Sequence, residues 1–151
     1  MHEHSEKLLS NYVTKLFDVI NIPAQLLMIE LENGHYQKIG YSPAKEFRDQ
    51  YSTPHAVMLK ALGLLGKALL TNNPNTWEND LERLDDKEIF HRTSDHWLGR
   101  CVNEREKMVS NQLAVRLTYY KLKEIVDLPL SPEERAEENK YFNSVELEHL
   151  V

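Results

Sequence analysis

Thr53-Pro54-His55-Ala56-Val57-Met58-Leu59-Lys60-Ala61-Leu62-Gly63-Leu64-Leu65-Gly66-Lys67-Ala68-Leu69-Leu70 decides how the rest of the chain is read. Thr53 can cap a helix, and Pro54 suits its first position because that residue needs no hydrogen-bonded N–H. From Pro54 to Leu70 apolar side chains cover most of a helical circumference, which predicts a central, buried helix. The stretch carries Lys60 and Lys67 and is shorter than the about 20 apolar residues a membrane span requires, so it reads as a core helix. Gly63 and Gly66 weaken helix propensity, and a closely packed neighbouring helix accounts for them.

The segments on either side are read against this helix. Upstream, Leu8, Leu9, Tyr12, Leu16, Val19 and Ile20 recur at spacings of three and four, predicting a helix from Ser5 to Ile22 that Asn21 and Pro23 end. Leu26 to Ile39 admits two readings: a small β-hairpin turning at Asn33-Gly34, or a helix ending at Gly34. Ser42-Pro43 starts a further helix running to Tyr51. Downstream, Thr76 can cap a short acidic helix from Trp77 to Leu84, and Asp85-Asp86 leads into a turn from Lys87 to Phe90. Arg92 to Ser110 has no strong period and reads as a long loop with some helix. Helix returns from Asn111 to Val126. Ser131-Pro132-Glu133-Glu134 then combines a Ser cap, Pro at the first position and Glu three after the cap, which is a capping box opening the last helix. The predicted fold is mainly α: six or seven helices in one domain around the buried Leu-rich helix, with the hairpin as the open alternative near the N-terminus.

The chain has 151 residues, enough for one domain that buries roughly two-thirds of its unfolded surface without a disulfide or metal staple. Its single cysteine, Cys101, excludes a disulfide framework and a multi-cysteine zinc site, and fits a reducing, cytoplasmic location. The polar N-terminus has no signal-peptide pattern, and no membrane partner is expected.

The net charge of −6 opposes attraction of the whole molecule to nucleic acid. Charge is nevertheless segregated. Residues 78–88 and 131–151 each hold six acids and two bases, whereas residues 92–123 hold seven bases and three acids. Those bases are Arg92, Arg100, Arg105, Lys107, Arg116, Lys121 and Lys123. They either contact phosphates or pair with the flanking acids on a solvated face. Trp97 is a packing residue or a base-stacking one.

Chemistry is sparse. No Gly-rich phosphate loop and no paired metal motif occurs, so no cofactor and no metal is expected. His91, Asp95 and His96 have poor spacing for shared ligation. Cys101 next to Arg100 can have a lowered thiol pKa, but no general base is identifiable beside it. No catalytic residue is assigned, and the chain reads as a non-enzyme.

Four stretches resemble the C-terminal part of the DndB-type DGQHR proteins, encoded with bacterial DNA phosphorothioation (DNA sulfur modification) systems. They are Phe47-Arg48-Asp49-Gln50-Tyr51 with His55 to Gly66; Trp77 to Leu84 with Asp85 and Asp86; Trp97-Leu98-Gly99-Arg100; and Arg116-Leu117-Thr118 with Leu128-Pro129-Leu130-Ser131-Pro132-Glu133-Glu134. The resemblance spans residues 46–138, leaving 1–45 as a preceding, more variable helical part and 139–151 as the acidic tail of the last helix, all within one domain. The Asp-Gly-Gln-His-Arg motif that names the family is absent, and Leu98 stands where the family pattern has an acid. The resemblance implies an accessory or regulatory domain of the modification system, acting in transcription regulation. On a first reading it contacts double-stranded promoter DNA through Arg92, Trp97, Arg100, Arg105, Lys107, Arg116, Lys121 and Lys123. On a second it is a helical assembly module, joining a missing N-terminal DGQHR half or a second copy, and Arg100 anchors a local carboxylate. A third, enzymatic reading rests on Cys101 or the His91/Asp95/His96 group, neither of which has a complete set of partners.

Overall fold

A computed structural model describes residues 2–20, 49–52 and 55–142, and these are helical in the main, with no strand longer than an isolated bridge. Five α-helices are described: α1 (His2–Ile20), α2 (Ala56–Asn72), α3 (Trp77–Leu81), α4 (Gln112–Ile125) and α5 (Pro132–Phe142). The 3-10 turns Glu82–Leu84 and Lys87–Phe90 follow α3. The hairpin expected between Leu26 and Ile39 lies outside the described residues, as does most of the helix expected from Ser42; its last residues, Asp49 and Gln50, are helical.

The Leu-rich stretch forms the central helix α2. Val57, Met58, Ala61, Leu62, Leu65, Ala68 and Leu69 are buried, and the helix packs mainly along α4. Complete burial does not hold, because Leu59 and Leu64 are exposed. The cap position falls to His55, whose side chain makes no capping bond. Of the two glycines, only Gly66 answers to a close neighbour. A Cβ there would collide with the Tyr12 ring of α1, whereas one at Gly63 would meet open space. Tyr12 is also tied to α2 by its hydroxyl, which donates to the Leu62 carbonyl at 2.6 Å.

α1 buries Tyr12, Leu16, Val19 and Ile20 against α2, α3 and the turn after α3, while Leu9, Val13 and Phe17 stay exposed. α3 is shorter than expected and gives way to 3-10 geometry at Glu82. Thr76 makes no capping bond; its hydroxyl and the Asn73 amide instead hold the Asp80 carboxylate, at 3.1 and 2.8 Å. Of the other starts, Asp85-Asp86 leads into its turn as read, whereas Asn111, read as the first helical residue, is the cap. The Asp86 carboxylate accepts from the Glu88 N–H at 3.0 Å, and Asn111 caps α4 by accepting from the Ala114 N–H at 2.7 Å. The capping box of α5 closes in both directions: Ser131 N–H donates to Glu134 Oε1 at 2.9 Å, and Glu134 N–H donates to Ser131 Oγ at 3.2 Å.

Residues 91–110 contain no helix, contrary to the mixed loop-and-helix expectation. They fold around Trp97, which is 0% exposed. Its ring stacks on Phe90 with centroids 6.0 Å apart, and its indole N–H donates to the Ile89 carbonyl at 2.5 Å. Its carbonyl accepts from Arg100 N–H and Val102 N–H at 2.9 and 3.1 Å. Val102 bridges to both Leu98 and Met108, and Tyr51 bridges to His91. Backbone bonds and one large buried aromatic thus do the work that helix periodicity does elsewhere.

Candidate nucleic-acid interface

The eight residues singled out for DNA contact fall into three groups. Trp97 belongs to the core and offers no face to a base.

Five bases are held within the protein. The Arg100 side chain is 6% exposed and makes a bidentate pair with Glu138 at 2.6 and 2.7 Å. It also donates to the Leu117 carbonyl at 2.7 Å, and its guanidinium lies 3.9 Å from the centroid of the Phe142 ring. Lys123, with a side chain 8% exposed, donates to Glu134 at 2.7 Å. Burial alone would lower the Lys123 pKa, but Glu134 and the Tyr119 hydroxyl outweigh it and raise it. Arg116 pairs with Glu137 at 2.8 and 3.2 Å, and Tyr120 donates to the same carboxylate at 2.8 Å. Arg116 and Tyr120 hold the Glu137 carboxyl below its ordinary range, with Arg116 the larger cause. Lys121 pairs with Glu124 one turn along α4, at 3.3 Å. Arg92 reaches the Glu106 carbonyl at 2.7 Å and the Asp49 carbonyl at 3.4 Å, tying the loop to the segment ahead of α2.

Arg105 and Lys107 form the third group. Both side chains are exposed, and neither takes part in an ion pair among the described residues. Their backbone is set by Asn103, whose side-chain oxygen accepts from Arg105 N–H and Lys107 N–H at 2.9 and 3.0 Å. Glu106 turns the chain with φ +60°, a left-handed conformation that L-residues adopt sparingly. An open depression of about 540 Å³ lies beside this tip, lined by Leu98, Gly99, Asn103, Glu104 and Arg105.

The pairing of bases with the flanking acids therefore describes Arg100, Arg116 and Lys123, whose carboxylates all come from α5. The capping box located α5 in the sequence, but no local signal indicated that Glu134, Glu137 and Glu138 would be the partners. Only the acidic excess of residues 131–151 pointed that way.

Cys101 is fully buried. Burial pushes its thiol pKa up, and the Thr118 hydroxyl and Arg100 offset only part of that rise. The lowered thiol pKa entertained from the Arg100-Cys101 dipeptide does not hold. His91 lies against Tyr51, with ring centroids 4.6 Å apart, and His96 lies against Trp97. Among the described residues, no cluster of three or more histidine, cysteine or carboxylate side chains is arranged to hold a metal ion. No described helix is long and apolar enough to cross a membrane.

No curated protein and no solved structure gives a significant match. A family model does, that of DndB, described as DNA-sulfur modification-associated, over residues 1–129. The match starts well before residue 46, so it takes in the N-terminal helix as well. It stops before α5, so α1 to α4 and the Trp97 loop lie inside it and the acidic helix outside. With a match over most of its length, the chain belongs to the DndB family of DNA-sulfur modification-associated proteins.

Proposed function

We propose that the chain is a non-enzymatic regulatory component of a bacterial DNA phosphorothioation system, and that it touches duplex DNA through the loop tip bearing Arg105 and Lys107. The observation that carries the reading is the family match over residues 1–129. Two features support the choice of residues. Arg105 and Lys107 are the exposed members of the basic segment without an ion pair among the described residues. Their loop backbone is also braced by Asn103, Arg92 and the buried Trp97, so a phosphate would meet two cations carried on an ordered turn. The non-enzymatic part is supported by the burial of Cys101 and by the separate packing of His91 and His96.

The test is fluorescence anisotropy of the chain with promoter DNA from its own gene neighbourhood beside a scrambled duplex, at two salt concentrations. Selective binding that weakens with salt, and that drops in Arg105→Ala/Lys107→Ala, is the expected result. Equal affinity in that double variant removes the loop from the interface.

A second reading, helical assembly, is favoured by a separate observation. Leu9, Val13, Phe17 and Leu59 are exposed along one open groove of about 680 Å³ between α1 and α2. A large exposed apolar patch marks interaction surfaces more often than ordinary solvent-facing surface. On this reading Phe17→Asp turns an associating chain into a monomer in sedimentation velocity, and a wild-type chain that is monomeric at every concentration discards it.

A further inference from the structure

α5 is held differently from the other long helices among the described residues. Of its described side chains only Glu138 is buried, and no apolar face turns inward. Three carboxylates attach it instead: Glu134 to Lys123, Glu137 to Arg116 and Glu138 to Arg100, at 2.7, 2.8 and 2.6 Å. Spacings of three and four place them on one helical face, and Arg116 and Lys123, seven apart, share a face of α4. Phe142 adds one contact, across the Arg100 guanidinium and Gly99. All three bases lie inside the family match and all three acids outside it.

We infer that α5 is a releasable acidic cover, whose carboxylates occupy Arg100, Arg116 and Lys123 in place of the phosphates of duplex DNA. This rests on the reading that the chain contacts DNA, and adds three bases to the two of the loop tip. Release is within reach because ion pairs are screened by salt, and because the desolvation of buried pairs cancels much of their attraction. A polyanion also competes for the same three cations, so DNA and an open α5 stabilise one another. Closed, residues 92–123 present Arg105 and Lys107 as exposed bases without an ion pair among the described residues; open, they add Arg100, Arg116 and Lys123.

The test uses the full chain carrying Glu134→Gln/Glu137→Gln. Glutamine at 134 keeps the capping box, and glutamine at 137 can still accept from Tyr120, so α5 remains a helix while two charges are lost. A charge-matched control, Glu78→Gln/Asp85→Asn, removes two exposed acids elsewhere. Hydrogen exchange is expected to rise in α5 and not in α2. Affinity for a 20-base-pair duplex is expected to rise roughly tenfold, with the slope of log affinity on log salt steeper by about 1.8, the value for two added phosphate contacts. The control gains less, and adding Arg116→Gln/Lys123→Gln to the first variant abolishes the gain. An α5 as protected as in the wild type, or an equal gain in the control, overturns the cover. DNA binding that depends on Arg105 and Lys107 but gains nothing from Glu134→Gln/Glu137→Gln also removes the cover and leaves the loop reading standing. No binding by any variant, although α5 opens, removes both.

Discussion

α2 and α5 are both regular helices that pack on α4, yet they are attached by opposite means. α2 presents Met58, Ala61, Leu62, Leu65 and Leu69, each 0% exposed, and its attachment is apolar burial. α5 presents Glu134, Glu137 and Glu138 to Lys123, Arg116 and Arg100, and its attachment is charge. Apolar burial strengthens slightly when salt is excluded from the surface and is indifferent to carboxylate protonation, whereas ion pairs weaken under both treatments. One small domain thus has a part that solution conditions leave alone and a part that they can loosen.

The largest effects are expected on the apolar side. Trp97→Ala empties the site stacked on Phe90, and Leu65→Ala opens the centre of α2. Each is expected to lower global stability by about 3–5 kcal/mol in urea titration, by the same amount at low and high salt. A loss that shrinks markedly in high salt would mean that charge contributes to the core as well, and the contrast with α5 would fail.

Arg100→Ala comes next. It leaves the Glu138 carboxylate, 10% exposed, without its partner, a change that costs about 3–5 kcal/mol when the charge is forced to stay buried. α5 can avoid that cost by detaching, so the expected result is rapid exchange and proteolysis of α5 with little change in the global transition. Arg100→Met/Glu138→Leu sharpens the point, because it replaces the charged anchor with an apolar one. That pair is expected to keep α5 attached and to make it less responsive to salt. If α5 is as salt-sensitive as before, Arg100–Glu138 is not its principal anchor.

Acid separates the two regions by sign as well as size. The folded pKa of Glu134 lies below its ordinary 4.5: burial works to raise it, but Lys123 and the Ser131 N–H together outweigh that. The folded pKa of Glu137 is also lowered, chiefly by its bond to Arg116. Groups with depressed folded values contribute stability that is complete above the unfolded value and lost as pH falls through the folded one. Hydrogen exchange is therefore expected to show α5 protected at neutral pH and released below 4.5, while α2 keeps its protection through the same range. Release of α5 already complete above that value would assign its attachment to other groups.

The smallest effects come from the glycines of α2, and they oppose one another. Gly63→Ala adds a Cβ in open space and is expected to stabilise by about 0.5–1 kcal/mol through helix propensity. Gly66→Ala drives a Cβ into the Tyr12 ring and is expected to destabilise, with α1 loosened first. Thermal melting of the pair gives the signs directly, and equal shifts would mean that the α1–α2 approach is softer than described.

What the sequence by itself determined is what short-range physics can encode. The apolar stretch around Leu62 and Leu65 specifies a buried helix because a 3.6-residue period is a property of neighbours along the chain. Ser131 and Glu134 specify the start of α5, because a capping box acts over three residues. The family resemblance was also legible there, in short motifs whose order spans much of the chain. The tertiary structure alone decided which carboxylate meets which base, since Arg100 and Glu138 are 38 residues apart. It also decided that Trp97 is a core residue within a stretch without period, held by its indole N–H on the Ile89 carbonyl and by backbone bonds to Arg100 and Val102. It left Leu9 exposed although the spacing of three and four put it on the apolar face of α1, because the width of a buried stripe depends on the neighbours that cover it. A charge in the sequence has a sign but no address; the fold supplies the address, and with it the difference between an arginine exposed at a loop tip and one already occupied by glutamate.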